Sequence, residues 1–212
     1  MKQMTTRVAA LLRLAGLVLC IAFSGNAYSA SKTVLVLGDS LSAEYGLTRG
    51  QGWVALLEQK LRAEKIAASV VNASISGDTT SGGKARLPAL LKYHKPQVVV
   101  LELGGNDGLR GLPVTLAENN FRDMIAKAKA SGAKVLLVGM QLPPNFGRDY
   151  NARFFSMYAK LAKETGVALV PFMLDGVAED IKQFQPDRIH PAAGAHPRIL
   201  SNIWPHLRPL VK

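Results

Sequence analysis

The chain has one cysteine, Cys20, among 212 residues. A single thiol excludes an intrachain disulfide framework and a thiolate metal cluster. Histidine is also scarce: there are four, none before His94. Gly38-Asp39 and Gly105-Asn106-Asp107 resemble the ligand turns of metal-dependent phosphoesterases, but no Asp-x-His occurs, and two-metal sites need several carboxylates and histidines together. No metal ligand set is therefore expected. There are only two tryptophans, and Trp53 lies at core spacing on a helix, which argues against an aromatic-lined carbohydrate site. Acidic residues are few, with 15 against 26 Lys and Arg, giving a net charge of +11. The surplus is compatible with anionic lipids or phosphorylated substrates but reads as ordinary surface lysine, and no basic-aromatic cluster marks a nucleic-acid groove.

What is present begins with a leader. Lys2, Arg7 and Arg13 form a basic start, residues 14–23 are apolar, and Ala27-Tyr28-Ser29 offers small residues at the −3 and −1 positions of a cleavage site. Residues 1–29 are expected to be a secretory signal peptide, cut after Ser29 or Ala30. Its apolar core is too short for a stable membrane span. Leu17-Val18-Leu19-Cys20 resembles a lipoprotein box poorly, since bulky Leu19 precedes the cysteine and the apolar run continues past it. Removing 29 of the 212 residues leaves 183, enough for one domain over residues 30–212. Three basic residues and no acids leave, so the charge falls from +11 to +8. The expected location is the periplasm or outside the cell, as a monomer.

Strand and helix patterns then alternate. Residues 34–37, 68–71, 98–103, 134–139 and 167–171 read as strands, rich in Val and Leu. Residues 52–63, 85–92, 115–130 and 149–165 read as helices, and a last helix falls within 192–207. The apolar face of 115–130 is read as Leu116, Phe121, Met124, Ile125 and Ala128, and Phe154 with Phe155 as core of 149–165. Such alternation predicts an α/β fold, a parallel sheet of about five strands covered on both faces.

Polar and glycine-rich sequence gathers where these strands end: Gly38-Asp39-Ser40, then Asn72 to Thr80 around Gly77, then Gly104-Gly105-Asn106-Asp107. Asp187-Arg188-Ile189-His190 follows near the end. Functional groups of open α/β sheets sit at that edge. Ser40, expected at a helix start, is a candidate nucleophile. His190 can accept its proton, and Asp187, three residues earlier, can reach the second ring nitrogen. The Ser40 and Gly77 N–H groups and the Asn106 amide are suited to an oxyanion hole. Asp39, Asp78 and Asp107 read as turn-holding carboxylates, and His94, His196 and His206 as surface or packing residues.

Gly38-Asp39-Ser40-Leu41-Ser42, the Gly77 block, Gly104-Gly105-Asn106-Asp107 and Asp187-x-x-His190 are similar to the four motif blocks of the GDSL, or SGNH, hydrolases. The segments 71–79, 85–91 and 102–111 narrow the resemblance to the periplasmic group with thioesterase, lysophospholipase and arylesterase activities. It covers essentially the whole mature chain. The resemblance implies a flavodoxin-like three-layer α/β/α sandwich, a serine hydrolase acting on small acyl esters or thioesters, and no cofactor. It implies Ser40 as nucleophile, His190 as base, Asp187 as its partner, and Ser40, Gly77 and Asn106 as oxyanion donors. It also suggests residues 111–113 and 142–150 as walls for the acyl chain. Arg188 departs from the group, which often has glycine there, and places a cation near the cleft. The competing readings are a carbohydrate acetylesterase of the same superfamily and a non-catalytic lipid-binding protein on this scaffold.

Overall fold

The computed structural model describes residues 31–212; the expected signal peptide and Cys20 lie outside the described residues. Five parallel strands form one sheet: β1 (Lys32–Gly38), β2 (Ala68–Asn72), β3 (Val98–Glu102), β4 (Lys134–Val138) and β5 (Ala168–Val170). Their order is β2-β1-β3-β4-β5, with Val36 level with Val100 and Val100 with Leu136. The helices are α1 (Trp53–Ala63), α2 (Thr80–His94), a single turn and a half at α3 (Gly105–Leu109), α4 (Val114–Ala130), α5 (Arg148–Thr165) and α6 (His196–Val211). Helices α2, α4 and α5 pack side by side, and α1 packs against α6. The right-handed crossover rule puts these two groups on opposite faces of the sheet. This is the expected three-layer sandwich.

The strands form because they are apolar on both sides. Val34 to Leu37 and Val98 to Leu101 have no exposed surface, as a doubly covered sheet requires. Connections from β1 lead toward β2 on one side, while β3 lies on the other. Chain direction therefore switches between the carboxyl ends of β1 and β3, where a crevice opens.

Three local expectations are corrected. Ser40 does not start a helix. The Asp39 carbonyl accepts the N–H of both Ser42 and Ala43, but Glu44 takes a positive φ of 60°, and residues 40–46 remain a run of turns. The first helix begins only at Trp53. Leu116 and Phe155 are exposed, beside the buried Ala117 and Phe154. The buried stripe of α4 runs through Ala117, Phe121, Met124, Ile125 and Ala128, and that of α5 through Phe154, Met157, Tyr158 and Leu161, and Leu116 and Phe155 fall outside these stripes. Helix α2 starts at Thr80 rather than Ala85. Thr79 caps it by accepting the Gly82 N–H, and Asp107 accepts the Thr80 N–H, which outweighs the poor propensity of Gly82 and Gly83. Among the described residues no helix is long and apolar enough to cross a membrane.

Candidate active site

The turn after β1 carries Ser40 to the crevice. It is tied from below: the Trp53 indole N–H donates to Ser42 Oγ (3.1 Å), and the Ser42 hydroxyl donates to Glu102 (2.6 Å) at the end of β3. Asn72, at the end of β2, donates its amide to the Ser42 carbonyl (2.7 Å). Three neighbouring strands thus fix one turn.

Ser40 Oγ lies 2.9 Å from His190 Nε2, and His190 Nδ1 lies 2.7 Å from Asp187 Oδ2. The other Asp187 oxygen accepts the N–H groups of Ile189 and His190, both at 3.0 Å. Burial raises the Asp187 carboxyl, but those N–H groups and the imidazole overcome it and hold the carboxyl down at about 2. Asp187 is therefore ionised at any working pH. This geometry favours a proton on Nδ1 and leaves Nε2 as an acceptor facing the serine hydroxyl. The Tyr45 ring lies against the imidazole, with centroids 4.3 Å apart.

The glycine-rich segments meet at Asn106. Its amide donates to Asp39 Oδ2 (3.1 Å) and to the Asp78 carbonyl (2.9 Å), linking the turn of Ser40 to the turn of Gly77. Gly77 has a φ of +80°, and Arg110 donates to its carbonyl (3.0 Å). Neither the Ser40 nor the Gly77 N–H has a protein acceptor among the described residues. Asn106 can sit here because Gly104 turns the chain with a φ of +100°, and a Cβ there would strike the Tyr158 hydroxyl, which donates to the Leu103 carbonyl.

Two buried carboxyls lie beneath the serine. Asp39 is 2% exposed; burial raises its pKa to about 6, against the lowering pull of the Leu41 N–H, His190 and the Asn106 amide. Burial, with Asp39 beside it, pushes Glu102 well above the carboxylate range. Asp107 has the turn-holding role expected of it, accepting both the N–H and the hydroxyl of Thr80. Asp78 pairs with Arg86 and accepts the Thr79 N–H. His196 is a packing residue: it is buried, and its Nδ1 accepts the Trp53 N–H (3.0 Å).

A cavity of about 520 Å³ opens at Ser40, His190 and Asn106. One wall is Leu109, Met140 and Leu142 to Pro144; the other is Leu174, Ile181, Phe184 and Ile189. Residues 111–113 do not line it, and Tyr150 is turned away, its hydroxyl donating to the Leu112 carbonyl. Gly77 also lies off the cavity lining, joined to it through Asn106. Among the described residues no group of three or more His, Asp or Glu is placed to hold a metal ion.

Sequence reasoning missed Glu102, Tyr45 and the second wall. Glu102 had a signal: it is a charge closing an otherwise unbroken apolar strand. Tyr45 sits in irregular sequence with no periodicity to mark it.

The sequence pattern of the GDSL-like lipase/acylhydrolase family matches residues 36–197, most of the chain. The chain belongs to that family. Esterase TesA of Pseudomonas aeruginosa is 54% identical over 183 residues, covering 86% of this chain and 91% of its own length. Thioesterase 1/protease 1/lysophospholipase L1 of Escherichia coli strain K12 is 48% identical over 183 residues, 86% of each chain. Among solved structures, TesA superposes with a TM-score of 0.83 at 55% identity, over 84% of this chain and 99% of that one. Family membership makes this chain a serine hydrolase, and the relatives are enzymes rather than binding modules.

Proposed function

We propose that this protein cleaves carboxylic esters and thioesters through an acyl-enzyme on Ser40. The observation that carries the reading is the continuous run Ser40 Oγ, His190, Asp187, with links of 2.9 and 2.7 Å, at the mouth of an apolar cavity. Ser40 Oγ attacks the carbonyl carbon while His190 Nε2 takes its proton. Asp187 keeps the Nδ1 proton in place and stabilises the imidazolium. The carbonyl oxygen becomes an oxyanion, met by the Ser40 and Gly77 N–H groups and the Asn106 amide. When the intermediate collapses, His190 returns the proton to the departing oxygen or sulfur. Water then repeats the sequence and frees the acid.

The substrates proposed are aryl esters, acyl thioesters and lysophospholipids, with the apolar walls taking the acyl chain. Two relatives bear the names esterase and thioesterase/lysophospholipase, which supports that range. The exported form is proposed to be a single domain over residues 30–212, released from a signal peptide at 1–29 and acting as a monomer.

The test is Ser40→Ala with a hydrolysis panel of p-nitrophenyl esters from two to sixteen carbons, a thioester and a lysophospholipid. The variant is expected to fold and to lose at least about a thousandfold in rate, because the covalent route is gone. A fluorophosphonate probe should label wild type alone. Activity near wild type in Ser40→Ala would remove Ser40 from the mechanism.

A further inference from the structure

Four residues other than glycine hold a positive φ among those described: Glu44, Lys65, Lys95 and Arg188. Three have a local reason. Lys65 and Lys95 stand just past the ends of α1 and α2, where a left-handed residue stops a helix. Glu44 uses its carboxylate to accept the N–H groups of Gly50 and Gly52. Arg188 is different. Its N–H donates to the Gln185 carbonyl (2.8 Å) and closes the turn, a task that glycine performs without strain. Its guanidinium makes no hydrogen bond or ion pair among the described residues, yet it lines the cavity two residues before His190. It is the only Lys or Arg among the lining residues, and the only acid there, Asp39, is buried.

Position gives this cation a meaning. In the proposed reaction His190 Nε2 hands a proton to the departing atom, so the leaving group must lie within hydrogen-bond reach of it. The alcohol or thiol part of the substrate therefore passes beside the turn that carries Arg188. A guanidinium offers paired donors that match a carboxylate or phosphate. We infer that Arg188 is a specificity-determining residue for the leaving group, selecting esters whose alcohol or thiol part carries an oxyanion, phosphate or carboxylate. This inference rests on the proposed serine-hydrolase reading.

The test uses butyrate esters that differ only in the leaving group: neutral 4-nitrophenol, anionic 4-hydroxy-3-nitrobenzoate, anionic 4-hydroxyphenyl phosphate and cationic 3-hydroxy-N,N,N-trimethylanilinium. A fifth ester, the mono-4-nitrophenyl ester of succinic acid, moves the negative charge to the acyl side. Wild type is compared with R188G, R188Q and R188K at low and high salt. R188G and R188Q are expected to lower kcat/KM about two- to fivefold on the two anionic leaving groups, mainly through KM, relative to their change on the neutral ester. The cationic ester should improve, and 0.5 M salt should erase both changes. R188K should retain much of the preference. The carboxylate and phosphate arms show which oxyanion is favoured. Equal change on all esters would reduce Arg188 to a turn residue, loss confined to the succinate ester would place it on the acyl side, and no change would leave it without a role; each overturns the inference. Failure of the underlying reading looks different: Ser40→Ala would then hydrolyse every ester like wild type.

Discussion

Asp39→Asn tests the energetics of the site in a way that does not depend on catalysis. Asp39 is 2% exposed and titrates near 6 in the folded protein, against 3.8 for an ordinary aspartate. The groups that face it are the Leu41 N–H, the Asn106 amide, His190, Asp78 and Glu102. A raised folded pKa means that the native state binds the proton more tightly than the unfolded chain. The stabilisation is fully present below pH 3.8 and is lost as pH rises through about 6. A shift of this size corresponds to about 3 kcal/mol, of which about 2–3 kcal/mol falls between pH 4 and pH 7.5. Asparagine carries no charge at either pH. It keeps an acceptor for the Leu41 N–H, but its amide nitrogen meets that of Asn106, a constant cost of about 1 kcal/mol. That constant cancels when the two pH values are compared. The assay is urea unfolding of wild type and variant at both. The stability of Asp39→Asn relative to wild type should rise by about 2–3 kcal/mol from pH 4 to pH 7.5. A difference that stays flat would mean that Asp39 is an ordinary ionised carboxylate and that its burial costs nothing.

Asp187→Asn should lower kcat/KM by several orders of magnitude, about 10⁴ in the serine-protease analogue, because the imidazole loses its charge partner and its tautomer; a near-normal rate would mean that another acid orients His190. The same variant tests stability at low pH. The folded pKa of Asp187, about 2, lies below the unfolded 3.8, so its stabilisation is present above 3.8 and lost as pH falls through about 2, a loss that asparagine should not show in acid unfolding. Asn106→Ala should lower kcat by about 10²–10³ with little change in KM, read from steady-state kinetics on one ester; an effect on KM alone would make the amide a binding group. Mass spectrometry of the exported protein should find an N-terminus at Ala30 or Ser31 without lipid, and a diacylated Cys20 would overturn the proposed cleavage.

Much of the fold was legible because its determinants are local. Uninterrupted Val and Leu runs at residues 34–37 and 98–101, short and closed by turn signals, read as doubly covered strands, and α/β alternation then leaves few topologies. The serine, acid and histidine were legible for a related reason: each follows a strand end or a turn signal, so topology alone gathers them. What failed was anything set by contact across the sequence. Ser40 reads like a helix cap, but Glu44 at a positive φ stops the coil, and its reason lies in the N–H groups of Gly50 and Gly52. Residues 111–113 follow a site motif closely and still miss the cavity, because the chain turns at Gly111 and the second wall arrives from residues 174–189. Glu102 was visible as an oddity, yet its partner Ser42 is 60 residues away, and no spacing rule joins them.

In the proposed mechanism the pairing of Asp39 with Asn106 gives one of the two buried carboxyls a positioning role. An amide has two N–H groups, and those of Asn106 are directed at Asp39 and at the Asp78 carbonyl, so donating to an oxyanion in the proposed mechanism requires one of these bonds to be shared or released. A free amide would turn, and an oxyanion donor that turns must be reordered at the moment of reaction. Two acceptors on opposite turns fix the position of the amide between the turns of Ser40 and Gly77, so that in the proposed mechanism only one hydrogen bond has to be shared when the oxyanion forms. The cost falls on Asp39, a carboxylate held out of water beside Glu102. In the proposed mechanism stability is therefore given up at one residue to fix the position of another. The link is testable within the predictions above: if Asp39 orients Asn106, Asp39→Asn should lower kcat well before it changes KM, even while it raises stability at pH 7.5 relative to pH 4. A gain in stability with kcat unchanged would separate the two residues and leave Asn106 oriented by the Asp78 carbonyl alone.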